Sequence, residues 1–197
     1  MQQKSEKNKR SRRHSNIPVF GNLQGMCFCA LLTAMSIVLG KFLQIPNPFQ
    51  EFIRISFENL PVIISGIVMG PLAGVAVGVV ADFIGCLLYG YSVIPLVTVG
   101  AGCIGAVSGL IANFVIKKPI MLKTVASISL AHLVGSVLVK SIGLAGFYLA
   151  RYNIGFWELI LWRLVNYSLV ATAECIIIYL LLKNKAFRNQ IERMRRK

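Results

Sequence analysis

Charged residues, and acidic residues above all, are scarce in this sequence. Only 14% of its 197 residues are charged, and 7 Asp and Glu stand against 21 Lys and Arg. Because 56% of the residues are hydrophobic, the chain has too little polar surface for a soluble globular protein of its size. The composition therefore predicts an integral membrane protein with one domain.

Several sequence motifs are also missing. There is no G-x-x-x-x-G-K-[ST] run, so the chain does not bind a nucleotide through a P-loop. The five cysteines lie in apolar segments without C-x-x-C spacing or a cluster of histidines, so we predict no disulfide, no metal site and no cofactor. No small-x-small cleavage pattern follows the basic N-terminal segment, which argues against a removable signal peptide. Any uphill transport must draw its energy from a source other than a nucleotide bound in a P-loop of this chain.

The excess positive charge is confined to three short segments. Residues 1–22, 117–123 and 183–197 carry net charges of +5, +3 and +6, which account for the whole formal charge of +14. No aromatic-interleaved basic face exists, so we predict no nucleic-acid partner. The positive-inside rule instead places all three segments on the cytoplasmic side of the membrane.

Six apolar segments separated by turns or charged residues predict an all-α integral membrane protein of the cell membrane. The expected architecture is a six-transmembrane-helix bundle spanning the lipid bilayer, with N and C termini cytoplasmic. The predicted spans are 23–44, 55–69, 72–88, 94–116, 123–149 and 156–183. They form a membrane domain over 23–184, between basic cytoplasmic tails over 1–22 and 185–197. Two prolines within 45–54 exclude a helix there and predict a loop that covers the outer surface.

Ionisable side chains inside membrane spans need an explanation. Each costs on the order of 2.5 to 3.5 kcal/mol on insertion, so such groups are paired or line a cavity. Pairing within the chain, for example of Lys140 with Asp82 or Glu174, is one explanation for the deepest groups. Arg163 differs, because a helix that starts near Phe156 places it only about 10 Å below the outer surface.

Arginine and aromatic residues are predicted to meet near that outer surface. Three guanidinium groups beside aromatic rings can bind an anionic ligand with a flat ring, by bidentate pairing and by stacking. The alternative is that they only anchor the protein among lipid headgroups. The predicted substrate-binding residues are Arg54, Phe57, Glu58, Asn59, Tyr91, Arg151, Trp157, Trp162, Arg163 and Asn166.

One serine and one histidine in neighbouring spans raise the possibility of catalysis, but the sequence does not predict it. Ser108 in one span and His132 in the next are the residue types that an intramembrane serine protease uses. A serine in a helix rich in Gly and Ala usually serves packing, however, and a single histidine is more often a hydrogen-bonded core residue than a base. We therefore predict that the protein is not an enzyme.

Ala30 and Ala34 form a small-xxx-small pair on one face of the first span, which allows another helix to approach closely. That helix can belong to this chain or to a partner. With the basic tail before it, this pair precedes the segments IRISFENLP, MGPLAG, ADFIGCLLYGY and VIPLVTVGAG. Together they resemble the substrate-binding S component of energy-coupling factor (ECF) vitamin transporters. Residues 53–102 are most similar to folate-family S components, whereas spans 5 and 6 agree only in pattern.

The resemblance implies a bundle that captures a vitamin at its outward face, beneath the loop after span 1. It further implies delivery together with a transmembrane T component and two ABC ATPases, with Ala30 and Ala34 packing on the T component. Folate, a flat pterin joined to an anionic glutamate, suits the predicted residues. Riboflavin or another vitamin also suits them, and a membrane carrier that needs no ATPase is the alternative from a different class.

Overall fold

The computed structural model describes residues 23–47, 50–115, 120–152, 155–187, 189 and 191. The side chains of residues 45–54, 120, 151 and 152 are not described. The predicted N-terminal tail and most of the C-terminal tail lie outside the described residues, so their boundaries stay predictions.

The described chain is almost entirely helical. Its elements are α1 (Leu23–Phe42), β1 (Ile45–Asn47), β2 (Gln50–Ile55), α2 (Asn59–Met69), α3 (Pro71–Tyr89), α4 (Pro95–Leu110), π1 (Ile111–Val115), α5 (Ile120–Ala131), π2 (His132–Val139), α6 (Lys140–Tyr152) and α7 (Phe156–Lys183). The segments π1 and π2 are π-helical turns that continue the neighbouring α-helices. The α5, π2 and α6 segments therefore form one continuous rod.

Five of these helical rods are long and apolar enough to cross a membrane, counted over the described residues. They are Leu23–Phe42, Pro71–Tyr89, Pro95–Val115, Met121–Ala150 and Phe156–Lys183. Large apolar side chains such as Leu72, Leu87 and Leu161 cover the outside of the bundle. In water such a surface would aggregate, whereas in a bilayer it faces lipid.

Helix α2 differs from the predicted second span. The span was expected from Ile55, but Ile55 belongs to β2 and the helix begins at Asn59. Its 11 residues rise only about 16 Å, roughly half of the hydrocarbon core. All of them are buried. Helix α2 is thus an enclosed core helix between α1, α3 and α4, and the count of six complete crossings stays a prediction.

The segment before α2 forms a β-hairpin. Strands β1 and β2 pair antiparallel, with Ile45 opposite Ile55 and Pro46 opposite Arg54, and the register shifts between Pro46 and Asn47. The sequence correctly excluded a helix here but did not predict strands. Since β2 also contacts α7, the hairpin lies against the bundle.

Glycine residues bring α3 and α4 into close contact. A Cβ atom on Gly105 would overlap the backbone of Gly74, and a Cβ on Gly109 would lie 2.6 Å from the Pro71 backbone nitrogen. Lipid provides no hydrophobic force between helices, so close backbone packing of this kind stabilises membrane bundles. The two helices run antiparallel, because the start of α3 meets the end of α4.

The ends of α1 and α3 meet near the hairpin. The Tyr89 hydroxyl donates to the Ile37 carbonyl, and the Lys41 ammonium lies over the Tyr89 ring at 4.9 Å from its centroid. We call this the hairpin end of the bundle, where α2, α4 and α7 begin. The starts of α1 and α3 and the end of α7 lie at the opposite end.

Substituting Gly105 by Ala is expected to destabilise the bundle by about 1–3 kcal/mol, because the added methyl group pushes α3 and α4 apart. The matched control is Gly146→Ala in α6, since a Cβ there meets nothing within 4 Å. Thermal unfolding of both variants in detergent checks the prediction. It is contradicted if Gly105→Ala unfolds at the same temperature as the unmodified protein.

Candidate functional site

Charged side chains lie at the N-cap of α2 and on α3, α6 and α7, toward the hairpin end of the bundle. We call Glu58, Asp82, Lys140 and Arg163 the charged cluster. Lys140 contacts Glu58 directly, and Arg163 donates to the Ser136 carbonyl, one turn before Lys140 on the same rod. Two cations and two carboxylates are thus grouped in a region where isolated charges are costly.

Glu58 and Lys140 form an ion pair. The Lys140 ammonium lies 3.3 Å from Glu58 Oε1, and the side chains are 5% and 38% exposed, respectively. The backbone of Glu58 is fixed separately, because the Ser36 hydroxyl donates to its carbonyl at 2.6 Å. Glu58 occupies the N-cap position of α2, two residues after β2, so its pair with Lys140 joins the hairpin side of the bundle to α6.

Asp82 is hydrogen-bonded to Thr98, whereas the sequence suggested Lys140 as its partner. The Thr98 hydroxyl donates to Asp82 Oδ2 at 2.7 Å, which links α3 to the first turn of α4. The proposed pairing of Lys140 with Asp82 or Glu174 is therefore wrong in its partners, although internal pairing itself is confirmed. The physical reason is that Glu58, at the start of α2, comes closer to Lys140 than either alternative acid.

Arg163 is buried on α7, with 6% of its surface exposed. Its Nε donates to the Ser136 carbonyl at 3.2 Å, and its guanidinium also contacts the Tyr167 hydroxyl and ring. Ser136 lies in π2, where the extra residue per turn alters the direction of backbone carbonyls. Such π segments often occur at functional sites.

A second polar group lies deeper in the bundle. His132 Nε2 is 2.6 Å from Glu174 Oε2, and His132 Nδ1 is 3.1 Å from the Ser136 hydroxyl. The His132 ring also stacks on Tyr167, with centroids 5.2 Å apart. A continuous chain of contacts thus leads from Glu174 through His132 and Tyr167 to Arg163.

These contacts separate Ser108 from His132. The Ser108 hydroxyl donates to the Gly105 carbonyl at 3.1 Å, whereas His132 is bonded to Ser136 and Glu174. A serine nucleophile needs a hydrogen bond to its base. The described geometry therefore gives no support to a serine protease and matches the packing interpretation of both residues.

The structure places the remaining predicted residues at three levels. Asn59 and Asn166 are buried, and Phe57 and Trp162 are half-buried. Tyr91 and Trp157 are exposed, Trp157 to 79%. The side chains of Arg54 and Arg151 lie outside the described residues. Phe57 and Asn59 lie at the start of α2, and Trp162 and Asn166 lie on α7 on either side of Arg163 in the sequence.

Lys140, Asp82, Thr98 and Tyr167 were not among the predicted binding residues. A signal existed for Lys140 and Asp82, because a charged residue in an apolar span marks a site or a pair. Tyr167 follows Arg163 by four residues, the spacing at which helical side chains meet. Nothing in the sequence distinguished Thr98 from other hydroxyl residues.

Helix α1 presents a continuous exposed face. Ala30 and Ala34 are both exposed, and so are the neighbouring Leu31 and Met35. The buried residues of α1 occupy its other face. The small-xxx-small pair is therefore directed away from this chain, and packing within the same chain is not its role.

A groove of about 450 Å³ lies between α5–π2 and α7. Its rim includes the exposed side chains Leu133 and Leu164, while His132 and Tyr167 form part of its lining. The apolar rim is the kind of surface that lipid covers. We assign it no role in ligand binding.

Comparison with known families identifies the chain. A family model described as "ECF-type riboflavin transporter, S component" matches residues 21–187. The chain belongs to this family. The prediction of an ECF S component in the membrane is thereby confirmed, and the family is one of transporter components.

A similar relative is the folate transporter FolT of Clostridium novyi (strain NT), which is 36% identical over 64 residues. The match spans 32% of this chain and 36% of that relative, so it covers about a third of the relative's length. The vitamin in its name differs from the one in the description of the family model.

Two solved structures share the fold of this S component. One is the crystal structure of FolT bound with folic acid, with a TM-score of 0.63, 21% identity, and coverage of 80% of this chain and 90% of that one. The other is the S component of a bacterial ECF transporter, with a TM-score of 0.59, 20% identity and coverage of 81% and 97%. At these identities the comparison establishes the fold alone.

Replacing Glu174 by Ala is expected to cost about 1–3 kcal/mol of stability, because it leaves the buried His132 nitrogen without its partner. Glu174→Gln is expected to cost less, since an amide can still form a hydrogen bond to the ring. Thermal unfolding in detergent measures both variants. The matched control is Glu158→Ala in the exposed first turn of α7, and equal losses for Glu174→Ala and Glu158→Ala would contradict the prediction.

Proposed function

We propose that this S component captures folate at the extracellular face and delivers it to the cell in an ECF importer. Folate is a flat pterin joined to a glutamate with two carboxylates. The observation that carries this choice is the presence of two buried cations, Lys140 and Arg163, within one charged cluster. Buried cations favour an anionic ligand, because a carboxylate can form charge-assisted hydrogen bonds to them.

The similarity to a folate transporter supports the same substrate. That relative is 36% identical to a 64-residue part of this chain. Riboflavin is the second candidate, because the family model that matches residues 21–187 is described as a riboflavin S component. Riboflavin has no carboxylate, so it offers Arg163 no negative partner and leaves Lys140 paired with Glu58 alone.

We assign the hairpin end of the bundle to the extracellular side. The basic segments 1–22, 117–123 and 183–197 adjoin the opposite ends of α1, α4, α5 and α7, which supports cytoplasmic N and C termini. In this orientation α1 runs outward to the hairpin, and α2 runs from the hairpin back toward the cytoplasmic side, where α3 begins. The six predicted segments then form the membrane domain. The hairpin then covers the entrance that the vitamin uses.

The proposed pocket takes its walls from the predicted residues near the charged cluster. Phe57 and Trp162 are assigned to stack on the pterin, and the amides of Asn59 and Asn166 to bond its polar edge. The rim residues are Arg54, Arg151, Tyr91 and Trp157, and Glu58 contributes through its pair with Lys140. Among these residues Arg163 is the best-supported ligand contact, because its charged side chain is buried and its orientation is fixed by a hydrogen bond to the Ser136 carbonyl.

We propose that delivery uses an ATP-hydrolysing partner, and the lack of a P-loop in this chain agrees with that division of roles. We propose that the exposed face of α1 with Ala30 and Ala34 packs against a transmembrane T component, which two ABC ATPases drive. Small residues permit the close backbone contact that holds membrane helices together. An ATPase-independent carrier is the alternative, and it does not need this face.

Folic acid is expected to bind the purified protein in detergent, and Arg163→Met to weaken that binding at least about tenfold, through loss of charge-assisted hydrogen bonds. The matched control is Lys185→Met, which removes an exposed positive charge at the opposite end of the bundle. Isothermal titration with folic acid and with riboflavin, and mass spectrometry of copurified small molecules, provide the measurements. Saturable riboflavin binding without folic acid binding would contradict the substrate and leave the family assignment intact.

The double change Ala30→Leu with Ala34→Leu is expected to abolish uptake while folic acid binding persists, because bulky side chains block close contact on α1 alone. The control is Ala150→Leu, which adds the same bulk at an exposed position of α6. Uptake of radiolabelled folic acid and copurification of the T component are measured for both. Undiminished uptake by the double variant, or uptake in cells without ABC ATPases, would contradict the coupling.

A further inference from the structure

The ion pair of Glu58 and Lys140 lies in space that two glycines leave open. A Cβ on Gly40 in α1 would lie 3.3 Å from Glu58 Oε2, and a Cβ on Gly100 in α4 would lie 2.6 Å from Lys140 Cγ. Larger residues at either position would displace one member of the pair. The surrounding helices are thus shaped around both side chains.

The two members of the pair differ in access. Lys140 is almost completely buried, whereas more than a third of the Glu58 side chain is exposed. Glu58 also follows directly on the hairpin, at the start of α2. A molecule that enters at the hairpin end therefore meets the Glu58 carboxylate first and the Lys140 ammonium behind it.

Lys140 cannot be left without a negative partner at low cost. Removing one partner of a buried ion pair is strongly destabilising, because the remaining charge is uncompensated. Among the described residues Glu58 is the carboxylate within ion-pair distance of Lys140, whereas Asp82 accepts a hydrogen bond from Thr98. Arg163, bonded to the Ser136 carbonyl one turn before Lys140, adds a second cation. An incoming carboxylate is the replacement that would preserve the charge balance.

From this arrangement we propose that Glu58 is an internal carboxylate that holds Lys140 while the site is empty, and that a carboxylate of the ligand takes its place. Lys140 is then a specificity-determining residue for the anionic part of the ligand, and Glu58 is its competitor rather than a ligand contact. No covalent bond changes, and one ion pair is exchanged for another. The inference rests on the proposed capture of folate and adds the residue that recognises its charge.

The exchange has a structural consequence for the hairpin. Glu58 is joined to β2 by only two residues, Ser56 and Phe57. Its release from Lys140 frees the link between the hairpin side of the bundle and α6. The Ser36 bond to the Glu58 carbonyl still holds the backbone, so the exchange moves the Glu58 side chain.

The test compares folic acid with its bisamide, in which both glutamate carboxylates are replaced by carboxamides. Isothermal titration in detergent is carried out on the unmodified protein and on Glu58→Gln and Lys140→Met. We expect Glu58→Gln to bind folic acid about tenfold more tightly, since the competitor has lost its charge, with the bisamide unchanged. We expect Lys140→Met to weaken folic acid at least about tenfold and to affect the bisamide little.

Two further variants separate charge from folding. The double variant with Glu58→Gln and Lys140→Met has no uncompensated charge at this pair, and it is expected to prefer folic acid over the bisamide less than Glu58→Gln alone does, because only Arg163 remains to bind a carboxylate. Glu158→Gln removes an exposed negative charge at the start of α7 without touching Lys140, and it is expected to bind both ligands as the unmodified protein does.

The failures of the two proposals are distinguishable. If folic acid binds the unmodified protein but Glu58→Gln weakens it, Glu58 is a direct ligand contact and the exchange is wrong. If Lys140→Met lowers the affinities for folic acid and for the bisamide equally, Lys140 does not bind the carboxylate and the exchange is again wrong. If the unmodified protein binds riboflavin and not folic acid, the proposed substrate and the exchange both fail.

Discussion

The enclosure of α2 by the other helices is the constraint on which the rest of the structure depends. This helix has 11 residues, all buried, and it is too short to reach both membrane surfaces. Its neighbours must therefore approach closely enough to surround it, which requires glycines at the contacts of α3 with α4 and of α2 with α4. The same arrangement fixes Glu58 and Asn59 at the hairpin end, because they are the residues from which α2 begins.

Charge pairing within the bundle follows from that enclosure. With α2 held in the centre, Glu58 comes within reach of Lys140 on α6, and Thr98 on α4 comes within reach of Asp82 on α3. Arg163 reaches the backbone of π2 and the ring of Tyr167 on its own helix. Each costly group thus obtains a partner, which is the condition for its presence in a membrane span.

Burial divides the predicted binding residues into two groups. Arg163 and Asn166 share a helical face with Val170 and Glu174, and the structure buries all four. The exposed Trp157 and Tyr91 belong to the surface of the bundle, where aromatic residues also anchor a protein at the membrane interface. The helical spacing of residues on α7 therefore predicted which side chains are buried better than the presence of an aromatic residue near the end of a span did.

The sequence by itself determined the class of the protein, most helix positions, and the face of α7 that turns inward, because apolar length and the helical period are local properties of the chain. The resemblance of residues 53–102 also indicated the S-component family correctly. Only the tertiary structure decided that Ile55 belongs to a strand, that α2 is enclosed, and that Lys140 pairs with Glu58 rather than with Asp82 or Glu174. These partners are separated by up to 82 positions in the chain, and no local pattern specifies which distant side chains meet when five helical rods pack around a short helix.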